Sequence, residues 1–353
     1  MAQPATRTTI GTTVSVKQPA CMDCGSGDVI DRGPCRPPTV GMTLSSEEMR
    51  LATSCVASKL LQCRACGLGF RFPAVREDIV HRMYEQMPAD FWQYTGKTNV
   101  AWYLARRWLQ KRHRASRAVR VVDVGAFDGS FLRTLSPTWD VRAIEPSAAA
   151  RHSLDTLGIR CIAEFLSEPL PSNRNCFDVV TMFDVFEHFT SPSKSLQDAL
   201  AHLKPGGHLI LSTGNLGHWT WQLLGGEHWY LSSMQHVSFG TLQYFEQAAQ
   251  RFGSRLVAFR RHAHQKQGWR HFTSQMTETL VYAGRRSANP LLRLCAKAML
   301  RVPLFHALRH SEHAPYSPAI RDHVLVILQK EHSNSTKLDN SENGRVREPE
   351  PPP

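Results

Sequence analysis

Arg120-Val121-Val122-Asp123-Val124-Gly125-Ala126-Phe127-Asp128-Gly129-Ser130-Phe131-Leu132 is the stretch whose reading decides the fold. Its first half is short, apolar and β-branched, the composition of a strand buried on both faces of a parallel sheet. Gly125 and Gly129 then let the backbone turn tightly and approach a ligand. Ser130-Phe131-Leu132 is expected to open a helix whose amide end favours a polar or anionic group. Glycines between a strand and a helix are often only a turn, so the decision rests on residues further along the chain.

Three later segments give the loop its meaning. Val141-Arg142-Ala143-Ile144-Glu145-Pro146 is a second strand ending in an acid about twenty residues on, the spacing at which a carboxylate reaches a ribose diol. Phe177 to Phe189 reads as a strand that delivers Asp184, Glu187 and His188 at its carboxyl end. Leu203-Lys204-Pro205-Gly206-Gly207 ends a helix, and His208 to Thr213 begins another apolar strand.

Loop, acid, polar strand end and Pro-Gly-Gly turn, in that order, resemble the successive motifs of the class I S-adenosylmethionine-dependent methyltransferases over roughly Asn99 to Gly253, and within them the small-molecule branch. The resemblance implies an α/β fold: a Rossmann-like, doubly wound sheet of seven strands with the last antiparallel. It places the cofactor's methionine end over the Gly125 loop, its ribose on Glu145 and its adenine near the residues after the third and fourth strands. The implied cofactor contacts are Asp123, Gly125, Ala126, Phe127, Asp128 and Gly129, then Glu145 and Pro146, then Phe183 and Asp184. The family usually carries a glycine where this chain has Phe127, so the middle of the loop is bulkier here. Asp184, Glu187 and His188 also resemble the cluster that binds a divalent ion in some quinone-type O-methyltransferases, with Asp at the first position.

Upstream, Cys21-Met22-Asp23-Cys24-Gly25 and Cys63-Arg64-Ala65-Cys66-Gly67 repeat one pattern. Two cysteines two residues apart, followed by glycine, present their thiolates to one ion from a tight turn. Two such turns supply the four sulfurs of a structural zinc site at Cys21, Cys24, Cys63 and Cys66, with Cys35 or Cys55 as substitutes. A four-sulfur site has no open position for catalysis, and loss of its zinc is expected to unfold the ribbon while leaving cofactor affinity nearly intact. Cys66 to Pro73, a helix around Arg76 to Glu85 and the aromatic Phe91-Trp92-Gln93-Tyr94 resemble the N-terminal zinc-ribbon extension of bacterial methyltransferases, several of which act on sugars or polysaccharide precursors.

The chain of 353 residues carries a formal net charge of +12. Its basic residues are dispersed, and the densest group, Arg106 to Arg117, sits on the helix before the first strand, a solvated face. No apolar run approaches the ~20 residues that span a bilayer, and Met1 to Ala20 has no signal-peptide core, so the expected location is cytoplasmic. The expected division is 1–17 disordered, 18–74 zinc ribbon, 75–332 methyltransferase domain with a helical insert at about 264–318, and 333–353 a disordered tail.

Within the main domain, a helix over Asn99–Arg112 is expected to face the core with Val100, Tyr103, Leu104 and Trp108. Further strands are expected near 158–163, at Leu256–Phe259 and at Asp322–Leu328. The insert's helix at 289–301 sets Arg293, Lys297 and Arg301 opposite leucines; packing on its own domain is the expected role, with weak contact to an anionic membrane as the alternative. Histidines and aromatics after the fifth strand suit a substrate wall.

Methyl transfer to a hydroxyl or carbon acid needs a base near neutral pKa, and His188 and His236 are the candidates. The expected function is methyl transfer to an oxygen or carbon of a small acceptor, with a sugar-containing one suggested by the ribbon. A nucleic-acid (RNA) methyltransferase is disfavoured, because Phe183-Asp184-Val185-Phe186 is not an Asn/Asp-Pro-Pro-aromatic signature and the ribbon lacks aromatic-basic interleaving. A non-catalytic zinc-ribbon binding scaffold is the remaining alternative.

Overall fold

The computed structural model describes residues 19–36, 58–74, 76–85, 99–114 and 118–332. The expectations for 1–17, Cys55, Phe91 to Tyr94, Arg117 and 333–353 lie outside these residues. The first described elements form a small antiparallel sheet of β1 (Val29–Pro34), β2 (Lys59–Cys63) and β3 (Gly69–Phe72). Two helices follow, α1 (Glu77–Glu85) and α2 (Val100–Arg112).

The large sheet is built from β4 (Arg120–Val124), β5 (Asp140–Ile144), β6 (Arg160–Ala163), β7 (Phe177–Phe183) and β8 (Leu203–Gly214), with α3 (Ala148–Thr156) between β5 and β6 and α4 (Pro192–His202) before β8. After α5 (Trp219–Leu224), β9 (Ser238–Phe239) and α6 (Leu242–Arg251), strand β10 (Ser254–His262) joins its edge. Helices α7 (Trp269–Arg286) and α8 (Pro290–Met299) precede the last strand, β11 (His323–Lys330). The strand order is β10-β11-β8-β7-β4-β5-β6, with β11 antiparallel to both neighbours and the rest parallel, so the expected doubly wound α/β sheet is present. Val121, Val122, Val179, Val180, Leu209 and Ile210 are all fully buried, as strands covered on both faces require.

Three local expectations are corrected. The loop after β4 does not open a long helix: only a single 3₁₀ turn, Leu132–Thr134, follows. Pro137 lies just beyond it and biases Ser136 away from the helical region, so a helix has no room to grow. The fully buried face of α2 is Ala101, Ala105 and Leu109; of the predicted stripe, Leu104 and Trp108 pack half-buried against the same cluster, while Tyr103 is 45% exposed. The leucines of α8 do not pack inward: Leu291 and Leu294 are 70% and 65% exposed, and the buried contact is made by Ala296. Alanines let α7 and α8 approach closely, with Ala296 Cβ against Gly284, and this leaves the leucines outside.

The ribbon is not a free-standing appendage. Its strand β3 pairs with β9 through Gly69↔Phe239 and Phe70↔Ser238, so the small sheet is completed by the main domain. Cys63, Leu68 and Phe70 share one apolar cluster with Met182, Phe186 and Tyr244. Added Cβ atoms at Gly225 and Gly226 would lie 2.0 Å from the Arg32 carbonyl oxygen and 2.1 Å from that of Pro34, so here glycine is required by close approach of two backbones.

Arg71 makes the deepest link. It is 2% exposed and donates to the carbonyl oxygens of His236 at 3.1 Å, Leu231 at 2.8 Å and Ser233 at 3.0 Å, and to Ser58 Oγ at 3.0 Å. A ribbon residue thereby holds the segment that carries a candidate base.

Candidate active site

The carboxyl ends of β4, β5, β6 and β7 open onto a cavity of about 350 Å³. It is closed on one side by Val80, His81 and Tyr84 of α1, and on another by the aromatic segment Trp229–His236. Every predicted cofactor contact lines it except Gly129, whose Cβ position is filled by Ile159 and Leu154 and which is a packing turn.

The β4 loop is shaped by Gly125 and Phe127. Gly125 has φ +70, and an added Cβ would lie 2.6 Å from Val185. Phe127, at the position that usually carries glycine, has φ +47, a left-handed conformation that costs about 1–3 kcal/mol for such a residue. Its N–H donates to Glu145 Oε2 at 2.7 Å, and a hydrogen bond to a charged group contributes about 1.5–3 kcal/mol, enough to offset that strain. Glu145 Oε1 accepts the Ser147 N–H at 2.8 Å. Burial pushes the Glu145 pKa above the usual range, and the two amide donors oppose that rise. Glu145 therefore props the loop as well as facing the cavity.

Asp123, on β4, accepts from Thr181 Oγ1 of β7 at 2.6 Å, and burial pushes its pKa up to about 7. Asp184, just past β7, has φ +55 and donates its N–H to the Ser212 carbonyl at 3.0 Å. Its pKa is likewise raised to about 7, by burial and then by nearby Glu187.

The two predicted bases differ in what they have left to offer. His188 has Nδ1 at 3.2 Å from the Gln235 carbonyl and Nε2 at 3.1 Å from the Asp184 carbonyl, so both nitrogens face backbone. His236 has Nδ1 at 2.6 Å from the Tyr230 carbonyl. A carbonyl only accepts, so this contact fixes the proton on Nδ1 and leaves Nε2 with its lone pair. Burial lowers both pKa values, that of His236 well below the ordinary one, with His188 adding to the effect.

The Asp184–Glu187–His188 cluster does not form as the resemblance implied. Glu187 is fully buried, with Oε2 accepting from Thr213 Oγ1 at 2.8 Å and Oε1 from the Tyr230 hydroxyl. It groups with His188 and His236, whereas Asp184 groups with His264 and His323. These last two histidines, and the cavity residues Tyr84 and Tyr316, had no signal in the sequence: they stand alone, without spacing to any motif.

At the other end of the chain, the sulfurs of Cys21, Cys24, Cys63 and Cys66 all lie within 4.8 Å of one another. Cys21–Cys66 is 3.7 Å and Cys24–Cys63 is 3.6 Å. Tetrahedral Zn–S bonds of about 2.3 Å place sulfurs about 3.8 Å apart, and a disulfide would need about 2.05 Å, so the cluster fits a metal. Each knuckle closes identically, Gly25 N–H to Cys21 O and Gly67 N–H to Cys63 O, both at 3.0 Å. Cys35 is buried at the far end of β1 and is outside the cluster.

Residues 98–258 match a family model described as a methyltransferase domain. Among curated relatives, the mitochondrial ubiquinone biosynthesis O-methyltransferase of Candida albicans is 43% identical over 63 residues, covering 17% of this chain and 19% of that protein. The ubiquinone biosynthesis O-methyltransferase of Cronobacter sakazakii is 28% identical over 118 residues, covering 31% of this chain and 49% of that one. The chain thus spans about half the length, or less, of these relatives. A solved structure of the Burkholderia thailandensis 1,6-didemethyltoxoflavin-N1-methyltransferase is 12% identical, with a TM-score of 0.43, covering 84% of this chain and 94% of that one.

Proposed function

With residues 98–258 a methyltransferase domain on the class I sheet, we propose that this chain transfers a methyl group from S-adenosylmethionine to an oxygen of a small acceptor. The observation that carries the reading is the Glu145-propped loop at the cavity floor. Each Glu145 oxygen uses one lone pair on a backbone amide and keeps another, so the carboxylate retains two acceptor sites for a ribose diol. Bound there, the cofactor supplies an electrophilic methyl group on a sulfonium. The residues of the chain position the acceptor, exclude water and take its proton.

His236 is assigned as the base, because its Nε2 lone pair is free of the backbone that occupies both nitrogens of His188. His188 is assigned a positioning role between Asp184 and Gln235. Trp229, Tyr230 and Tyr316 give the acceptor side aromatic walls. The names of the relatives favour an oxygen nucleophile over carbon; a sugar-containing acceptor rests on the ribbon resemblance alone.

In this reading residues 18–74 are a zinc ribbon and 75–332 the catalytic unit, with the insert at about 264–318. Zinc sits on the four cysteines, whose sulfurs have the spacing of a tetrahedral site. The described cysteines are unbridged, which fits the reducing cytoplasm, and among the described residues no helix is long and apolar enough to cross a membrane.

The test is cofactor binding. Glu145→Ala is expected to weaken S-adenosylhomocysteine binding by roughly 1.5–3 kcal/mol, about 10- to 150-fold. Glu145→Gln should also weaken it, since an amide NH₂ must then face a backbone N–H. Calorimetry giving wild-type affinity for both variants would remove Glu145 from the site.

The exposed leucines of α8, beside Arg293, Lys297 and Arg301, support contact with an anionic membrane surface. Sedimentation with vesicles should retain the chain on anionic lipid more than on neutral lipid. Replacing Leu291 and Leu294 by Glu should abolish the difference. Equal retention of wild type on both lipids would rule the contact out.

A further inference from the structure

We infer that Asp184, His264 and His323 form a binding site for one divalent transition-metal ion at the inner end of the cavity. The three come from distant points of the chain: the end of β7, the segment after β10 and the first residue of β11. Sheet order brings them together, because β11 lies beside β8, which lies beside β7. One ligand atom from each lies within 4.8 Å of the others.

Two of these atoms stand out for what they lack. Asp184 Oδ1 and His323 Nε2 are buried and have no hydrogen-bond partner, and His323 is 0% exposed. Leaving such a group unsatisfied costs about 1–3 kcal/mol, and more when it is charged. The two do not bond each other, so an Asp184–His323 pair does not account for them. An ion between them and His264 does.

The support behind His323 is built for a ligand. Its Nδ1 lies 2.8 Å from Asp322 Oδ1, which fixes the proton there and leaves Nε2 as the lone pair facing Asp184 and His264. Asp322 is fully buried and held in turn: Oδ2 lies 3.1 Å from Trp229 Nε1 and 3.2 Å from His228 Nε2. A carboxylate behind a metal-binding imidazole orients the ring and raises its basicity. In the neighbouring group the rings are backed by backbone carbonyls and not by a carboxylate, and Glu187 is already engaged by Thr213 and Tyr230.

Two imidazoles and one carboxylate suit zinc, manganese, iron or cobalt; calcium and magnesium favour all-oxygen sets. Three protein ligands leave coordination positions open, and Asp184, His264 and Tyr316 border the cavity. On the proposed reading of that cavity, an acceptor hydroxyl bound to the ion would be acidified and fixed in place. The binding itself does not depend on that reading.

The test is titration of the full chain with Mn²⁺, followed by electron paramagnetic resonance without cofactor or acceptor. Manganese prefers nitrogen and oxygen donors, so the cysteine cluster does not compete. One Mn²⁺ per chain is expected. His264→Gln and His323→Gln should each weaken binding at least about tenfold, and Asp322→Asn should do so through His323. His264 is only half-buried, so its variant keeps the test sound if the His323 variant fails to fold. Wild type without bound Mn²⁺ would overturn the proposal. So would a His264→Gln chain of wild-type melting temperature that binds Mn²⁺ with unchanged affinity. Loss of binding in His236→Ala with full binding in His264→Gln would place the ion in the neighbouring group instead. Methyl transfer is not read in any of these experiments, so their failure leaves the methyltransferase reading standing.

Discussion

Replacing His236 by Ala is expected to lower the single-turnover methylation rate by ~10²–10⁴ while cofactor affinity stays at the wild-type value. The Tyr230 carbonyl holds the proton on Nδ1, so only Nε2 can take one from the acceptor. His188 does not replace it, because both of its nitrogens are turned to backbone. The pH profile is set by burial. A base works when deprotonated, and burial holds the His236 pKa well below its usual value. The wild-type rate should therefore rise with pH below about 6.5, the ordinary histidine value, and be flat above neutrality. His188→Ala should act mainly on acceptor KM, as a positioning group does. Full single-turnover activity in His236→Ala would remove it as the base, and a rise centred above pH 7 would contradict its buried setting.

Loss of zinc from the proposed four-cysteine site is expected to cripple the proposed active site, through the ribbon strand that follows the cysteines. Cys63 ends β2, Cys66 begins the turn to β3, and Arg71 on β3 reaches the carbonyls of Leu231, Ser233 and His236. Cys63→Ser should cut bound zinc to well below one per chain and lower both acceptor affinity and rate. Arg71→Met should reproduce the catalytic defect with zinc retained. It strands buried carbonyls, each bond to the guanidinium contributing about 1.5–3 kcal/mol, so a loss of at least about 3 kcal/mol in stability is expected. Metal analysis, thermal melting and steady-state kinetics on both variants check this. Wild-type kinetics in a zinc-free Cys63→Ser protein would show that the ribbon is dispensable.

The loop and its acid were legible because they combine buried strands, glycines and a carboxylate at a spacing that few other sequences need. The clustering of the four knuckle cysteines was legible for the same kind of reason. The features that stayed hidden depend on neighbours that a single segment does not reveal. Ala101 and Ala105 carry little hydrophobic signal, yet they form the buried face of α2 because small residues allow close packing. The leucines of α8 read as core residues and are exposed, because the alanine side is the one that meets α7. His264 and His323 gain meaning only when β11 inserts between β10 and β8. Phe127 was recognisable as a departure, but its left-handed backbone and its tether to Glu145 were not.

The pairing of β3 with β9 has a consequence for synthesis. Chain grows from the ribosome at about 5–20 residues per second. The first knuckle, at Cys21 and Cys24, emerges long before Phe239, the residue that completes its sheet. Across the roughly 170 residues between Phe72 and Phe239, the nascent ribbon waits about 8–33 s for its dock. During that interval its four thiols are exposed to oxidation and to foreign metals. Early capture of zinc by the two knuckles would guard them until the rest of the chain arrives.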